Sequence, residues 1–226
     1  MNTLFIRLEG PLQSWGLRSR WTDRETALEP SKSGVVGLLA CALGWGFDRD
    51  GEIRQLGFDL EFGSRVDRPG RLLRDYQTIN GGAMSAEGKI KITASSGLPE
   101  TVVSPRFYLA DASFLAAIRG DEALIDRLSR ALQDPVWPLY LGRKSCPPSL
   151  PPHAGTGQYD SILDALQQHP RSGRAELGSL RVVIDARPGE GIQRMDQIDS
   201  LRRRTYLPRY GKAGLVNPPA AEKGAA

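Results

Sequence analysis

Strand-like and helix-like apolar spacings alternate between Thr3 and Leu141 in the order strand, helix, strand, strand, helix, strand. Thr3 to Leu8 reads as a buried first strand that Gly10-Pro11 ends. Pro30-Ser31-Lys32-Ser33 opens a helix, because proline suits the first turn and a serine can cap its free N–H groups. Val35, Leu38, Leu39, Ala42 and Leu43 then recur at helical spacing and give a core face. Phe58 to Val66 alternates as a second strand. Arg106 to Ile118 returns to strand character, with an interruption near Asp111. Gly120-Asp121 breaks the chain and caps a second helix, with a buried stripe of Leu124, Ile125, Leu128 and Leu132 and a stop at Pro135. Pro138 to Leu141 is a short closing strand. This order is an α+β fold with the ferredoxin-like β-α-β-β-α-β layout.

Two regions fall outside that layout. Arg71 to Pro105 carries Asn80-Gly81-Gly82, Lys89, Lys91 and Ser95-Ser96-Gly97, and is too poor in large apolar residues to be buried. It is expected to project as a long hairpin or loop, and a loop of this length inside a compact domain is usually functional or disordered. Pro151 to Val216 has one clear strand, Leu180 to Ala186, and ends in the cation–aromatic run Leu201 to Tyr210. The expected division is a body over 1–150 and a small C-terminal lobe over 151–226, with a frayed tail from Pro218.

Composition narrows the chemistry. A hydrophobic share of 40% supports a real core, and the net charge of +4 permits a polyanionic partner. Cys41 and Cys146 lie far apart and suggest no disulfide framework, so a cytoplasmic location is expected. The N-terminus has charges where a signal peptide would be apolar, and Val35 to Phe47 falls short of the ~20 residues a bilayer span needs. No membrane partner is expected. His153 and His169 with two distant cysteines give no zinc spacing, and no metal or other cofactor is expected. Asp48-Arg49-Asp50-Gly51 lacks the length and final glutamate of a calcium loop. Gly142-Arg143-Lys144-Ser145 is not a P-loop, since Arg143 breaks the Gly-Lys pair.

That last segment is nevertheless the strongest functional signal. A glycine, two adjacent cations and a hydroxyl follow the apolar run Trp137 to Leu141. A backbone that can come close, beside Arg and Lys, suits a phosphate chain. Ser31, Lys32 and Ser33 at a helix N-terminus are a second anion site. The loop from Leu12 to Glu29 interleaves Gln13, Trp15, Arg18, Arg20, Trp21 and Arg24, a mixture that can stack bases and hold phosphates. Metal-free RNA cleavage would need a general base and acid, and histidine is their usual source near neutral pH. The sequence favours binding over catalysis.

Five blocks in order carry a resemblance. They are Leu8-Glu9-Gly10-Pro11-Leu12-Gln13-Ser14-Trp15-Gly16, Pro30 to Leu39, Leu73-Arg74-Asp75-Tyr76-Gln77-Thr78, Tyr108 to Phe114, and Tyr140 to Pro147. The chain resembles the CasD family, subunits of the type I-E CRISPR surveillance complex (Cascade). The resemblance implies a RAMP-type ferredoxin-like body with a protruding β-hairpin thumb at about 80–105. It implies a non-catalytic subunit that binds the 5′ handle of the crRNA. It also implies contact with the backbone and large subunits of Cascade, and with target DNA only through the complex. On this reading phosphates lie along Arg143, Lys144 and the helix start at Ser31, Lys32 and Ser33. Gly142, Ser145 and Cys146 complete that turn. Gln13 reads a base edge, Trp15 or Tyr108 stacks a base, and Arg106 clamps the strand at the thumb root. Lys89 lies on the thumb, with Met84 and Ile90 as apolar tip candidates.

Two other roles stay open at this level. A related type I-C branch is itself a ribonuclease that works through Tyr, Lys and His residues. Here Gln77 stands in the Arg-Asp-Tyr-x-Thr block, where type I-E members can have histidine. The other role is a purely architectural subunit that touches protein rather than RNA. The run Arg202-Arg203-Arg204 is assigned to no function.

Overall fold

The computed structural model describes residues 1–16, 23–81, 88–90 and 92–220. The elements are β1 (Asn2–Glu9), β2 (Leu12–Gln13), α1 (Lys32–Ala42), α2 (Asp50–Asp59), β3 (Glu61–Arg68), β4 (Arg71–Ile79), β5 (Val102–Ala110), β6 (Ser113–Gly120), α3 (Glu122–Gln133), β7 (His153–Gly157), α4 (Ile162–Gln168), β8 (Leu180–Ala186), β9 (Ile192–Ser200) and β10 (Thr205–Val216). They form a seven-stranded sheet, β7-β1-β6-β3-β8-β10-β9, and a three-stranded sheet, β2-β5-β4. The named strand pairs are antiparallel. The architecture is thus mixed α and β with antiparallel sheets.

Period-two alternation sends the central strands' side chains to two cores. Leu4, Ile6 and Leu8 of β1, with Phe114, Ala116 and Ile118 of β6, pack in the core shared with α1, α2 and α3. Phe5, Leu115 and Ala117 point the other way, onto Ile162, Ala165 and Leu166 of α4. The helices start where the sequence caps them. Ser31 Oγ accepts from Gly34 N at 3.2 Å, and Asp121 Oδ1 accepts from Ala123 N at 3.0 Å.

Three expectations differ from the structure. Phe58 belongs to α2, and the second strand begins at Glu61. Phe58 is exposed on that helix under the Arg54 guanidinium, so its spacing to Leu60 and Phe62 only imitates a strand. Pro138–Leu141 joins neither sheet. Proline supplies no ladder donor, and Leu141 N turns back to Cys146 O at 2.7 Å. The place beside β1 is filled by β7, paired Thr3↔Gly157 and Leu4↔Thr156. Finally, the sheet runs across residue 150. β8 pairs with β3 from Gly63↔Ile184 to Arg65↔Val182, and β10 and β9 extend it. β9 carries three charges in nine residues and β10 is broken by Pro208, Gly211 and Gly214, which hid both from an apolar-pattern reading. Residues 221–226 of the expected frayed tail lie outside the described residues.

Buried ion pairs replace the missing apolar pattern. Arg65 is wholly buried on β3. Its Nε and Nη2 donate to the two Asp67 carboxylate oxygens at 2.6 and 3.1 Å. The remaining donors reach the carbonyls of Leu166, His169 and Pro170 at the end of α4. Every guanidinium donor is used, which is what makes a buried arginine tolerable. Arg65→Met should lower unfolding stability by about 3–5 kcal/mol, because Asp67 is then left buried without its counter-charge. Urea denaturation measures this, and the paired variant Arg65→Met/Asp67→Leu should recover part of the loss.

Candidate nucleic-acid interface

α1 presents small residues along one side. Ser33, Gly34, Gly37, Ala40 and Cys41 line a groove of about 1330 Å³. The loop after α3 forms the facing wall with Trp137, Tyr140, Gly142, Arg143 and Lys144. Trp15, Gly16 and Arg24 close one end, and Leu201, Arg204 and Tyr206 from the β9–β10 turn stand at another side. The structure therefore brings the basic turn, the α1 start and part of the Arg202–Arg204 run around one space.

The turn is set by backbone geometry. Gly142 has φ +84°, and a Cβ there would collide with the Ser14 carbonyl oxygen. Ser14 N donates to Leu141 O at 3.1 Å, which seats the turn on the segment after β1. Gly34 allows a similar approach, since a Cβ there would collide with the Trp15 ring. Trp15 is buried, its Nε1 donating to Gln13 Oε1 at 3.1 Å.

The cations are held in different ways. Arg143 stacks on Tyr108 at 4.7 Å, and its Nη2 donates to Arg24 O at 2.7 Å. Its Nη1 is buried without a partner. Lys144 is exposed and makes no ion pair among the described residues. Arg106 is half-buried on β5 opposite Asp75, and its Nε also lacks a partner. Ser145 is exposed at the turn. Ser33 lies in the groove wall, 3.4 Å from Ser31 Oγ.

Other expected contacts are used internally. Gln13 is fully buried and donates to Leu8 O and Ala112 O, both at 2.9 Å, so no edge is left for a base. Tyr108 is buried under Arg143 rather than open to stacking. Ser31 is occupied as the α1 cap. Lys32 Nζ is paired with Asp185 Oδ2 at 3.0 Å, and Lys32 N donates to Asp196 Oδ2 at 3.0 Å. A protein carboxylate thus already sits at the α1 N-terminus. Cys146 is buried, and burial pushes its thiol pKa up. Lys89 and Ile90 are exposed on the connection between β4 and β5, and Met84 lies outside the described residues, as do Arg18, Arg20 and Trp21.

Glu25 is the carboxylate among the described groove-lining residues. Burial raises the pKa of Tyr140 and of Cys41, the latter against the opposing pull of Lys144. Neither histidine lines it. His153 Nε2 bonds Ser129 Oγ at 2.8 Å, and His169 packs against Phe5. Among the described residues no three His, Cys, Asp or Glu side chains gather as a metal site. No helix among them is long and apolar enough to cross a membrane.

The family model described as CRISPR-associated protein (Cas_Cas5) matches residues 3–210. The chain belongs to the Cas5 family. Among curated proteins, the Cascade subunit CasD of the CRISPR system of Escherichia coli (strain K12) is 33% identical over 174 residues, covering 72% of this chain and 75% of that protein. A crystal structure of a Cas protein superposes with a TM-score of 0.74 at 36% identity, over 97% of this chain and 98% of the other. A chain of a CRISPR RNA-guided surveillance complex superposes with a TM-score of 0.73 at 30% identity, over 99% and 95%.

Within this Cas5 chain, Gly37, Trp45, Trp137 and Tyr140 are groove residues that the sequence reading did not assign. Gly37 lies within the Pro30 to Leu39 block, but which side of α1 it faces could not be read from the sequence. Gly142→Ala should destabilise the fold by at least about 1 kcal/mol, since alanine must adopt a positive φ and displace Ser14. A urea titration would register this, and RNA retention should fall with it.

Proposed function

We propose that this chain is the Cascade subunit that holds the 5′ handle of the crRNA, and that the handle lies in the groove between α1 and the Gly142–Ser145 turn. The observation that carries this is the meeting of Arg143 and Lys144 with the small-residue side of α1 across one groove. The likeness to CasD and to a chain of an RNA-guided surveillance complex supports the assembly. A basic groove with aromatic walls suits unpaired RNA, whose bases can splay and stack. Phosphates lie along Lys144 and the half-buried guanidinium of Arg143. Ser33 and Ser145 supply hydroxyls, and Arg106 sits where the strand leaves towards β4 and β5.

The body is of the ferredoxin-like, RAMP type. The order β7-β1-β6-β3, with α1–α2 and α3 as its crossovers, supports that. The β4–β5 hairpin, paired from Arg71↔Ala110 to Ile79↔Val102, is the thumb. Its exposed Leu72, Tyr76, Ile79 and Val103 are apolar surface for a neighbouring backbone subunit. The role is binding without catalysis, in the cytoplasm, with the large subunit as a further neighbour and target DNA reached through the complex.

Lys144→Ala is the clean test, because its ammonium makes no ion pair among the described residues. Retention of the co-purifying short RNA should weaken, and the salt dependence of binding should flatten by roughly 0.7 of a unit of slope. Adding Arg143→Ala should about double the change. Unchanged retention and slope would sink the assignment of the turn.

Gly37 offers a second probe. A Cβ there meets no other atom within 4 Å, so a side chain would enter the groove and not the core. Gly37→Leu should match or exceed the parent in thermal melting, since replacing a mid-helix glycine gains about 0.5–1 kcal/mol, yet it should lose RNA. A variant that melts normally and keeps its RNA would place the RNA elsewhere.

A further inference from the structure

The proposed RNA path uses one wall of the groove and leaves the other without a task. That other wall is the β9–β10 turn, Leu201 to Arg204, with Tyr206 just beyond it. Its construction is specific. Asp50, at the start of α2, accepts from Ser200 Oγ at 2.6 Å, from Leu201 N at 2.7 Å and from Arg202 N at 3.3 Å. Ser200 Oγ in turn accepts from Arg203 N at 3.0 Å, and Thr205 Oγ1 donates to Asp199 at 2.8 Å. The hydrogen bond from Ser200 is the main reason the Asp50 carboxyl titrates below its usual range.

Both nearby carboxylates are therefore spent on the turn's backbone, its hydroxyls and Arg54, which lies 3.4 Å from Asp199. None of Arg202, Arg203 and Arg204 forms an ion pair among the described residues. Arg203 helps to hold the Asp50 carboxyl below its usual range, and Arg202 and Arg204 stand beside it on the same fixed support. Arg204 also holds φ +57°, a conformation that costs a residue with a Cβ roughly 1–2 kcal/mol. Asparagine or glycine would fit there more cheaply. An arginine held there suggests that its side chain is used.

Arg204 and Tyr206 line the same groove as Arg143 and Lys144. The same groove lining includes the aromatic side chains Trp45, Trp137 and Tyr140. Aromatic rings beside cations match a nucleotide that stacks its base and leaves its phosphate at a cation.

We infer that the β9–β10 turn is the far wall of the RNA groove and clamps one extruded nucleotide, with Tyr206 stacking on its base and Arg204 holding its phosphate. This rests on the groove reading above. It assigns the arginine run to RNA through continuity with the Lys144 wall and through its unpaired positive charge.

The test compares two sets of variants of the full chain. The probe is a short fluorescein-labelled single-stranded RNA of repeat-derived sequence, followed by anisotropy across a salt series. Tyr206→Ala should weaken binding about tenfold with unchanged thermal melting, and Tyr206→Leu, which keeps apolar bulk without a ring, should behave the same way. Arg204→Gln should flatten the salt slope by roughly 0.7 of a unit. Abasic replacement along the probe should find one position where the Tyr206→Ala penalty disappears.

If Lys144→Ala weakens binding while Tyr206 and Arg204 variants do not, the far-wall inference falls and the near-wall reading stands. If neither set changes binding, both fall. If Tyr206 and Arg204 variants keep RNA but lose partner subunits in a pulldown, the turn is a protein-docking surface and the inference is overturned.

Discussion

Four buried or nearly buried charges fasten the start of α1 to the last strands of the sheet. Arg209 on β10 forks onto Asp196 of β9, Nε to Oδ1 at 2.9 Å and Nη2 to Oδ2 at 2.8 Å, while its Nη1 reaches Asp185 of β8 at 2.6 Å. Lys32 completes the set by pairing with Asp185 and giving its backbone N–H to Asp196. Two positive and two negative groups balance. Removal of any one leaves a charge in a place water does not reach, which typically costs several kcal/mol. Glu29 adds a second tie just before the helix, pairing with Arg181 of β8 at 2.6 Å and with Arg194 of β9. The direction of α1, and so the side of it that faces the groove, follows from these bonds. The same bonds explain why an apparently open helix N-terminus is no phosphate site: Asp196 already satisfies it.

The opposite wall depends on a small hub after β1. Gln13 is buried where its amide ties Leu8, Ala112 and Trp15 together. Trp15 then fills the space over Gly34, and Ser14 receives the Gly142 turn. These residues touch no solvent-facing ligand, yet they fix the spacing between α1 and the basic turn. A bulkier residue at Gly34 or Gly142 would have to push one wall off the other. The groove is thus a consequence of close backbone approach at two glycines rather than of a gap left by poor packing.

What the sequence revealed follows from what kind of force builds each part. β1, β6, α1 and α3 are built by apolar burial, and their boundaries could be read to within a few residues from periodicity and caps. α2 was missed because Gly51 and Gly57 thin its pattern and exposed Phe58 extends an apparent strand alternation. β7 carries His-Ala-Gly-Thr-Gly and has almost no side-chain signal. Its place is set by pairing with β1. β9 is tied to Glu29 through Arg194 and to the Lys32 backbone N–H through Asp196, partners over 100 residues away that no local window contains, and β10 joins the same set through Arg209. At the site, the sequence picked out Arg143 and Lys144 as a basic turn, and the fold brings both to one groove. Sequence alone could not separate Gln13, Lys32 and Cys146, which serve the fold, because the same residue types serve both purposes.

The division of labour between the two neighbouring cations suits a subunit that holds rather than cuts. Arg143 is pinned by Tyr108 and the Arg24 carbonyl, so little side-chain freedom remains to be lost when its guanidinium meets a phosphate. Lys144 is free and strongly hydrated, a point charge that can follow a backbone without demanding one geometry. Around them, Tyr140 and Cys41 keep their protons because burial disfavours their anions. A ribonuclease would need one group ready to accept a proton from a 2′-hydroxyl and another ready to give one. The described groups lining this groove are the cations Arg24, Arg143, Lys144 and Arg204, neutral hydroxyls and a thiol, and the carboxylate of Glu25. The pinned guanidinium of Arg143 and the free ammonium of Lys144 together suit a phosphate chain already present, one by fixed geometry and the other by mobile charge.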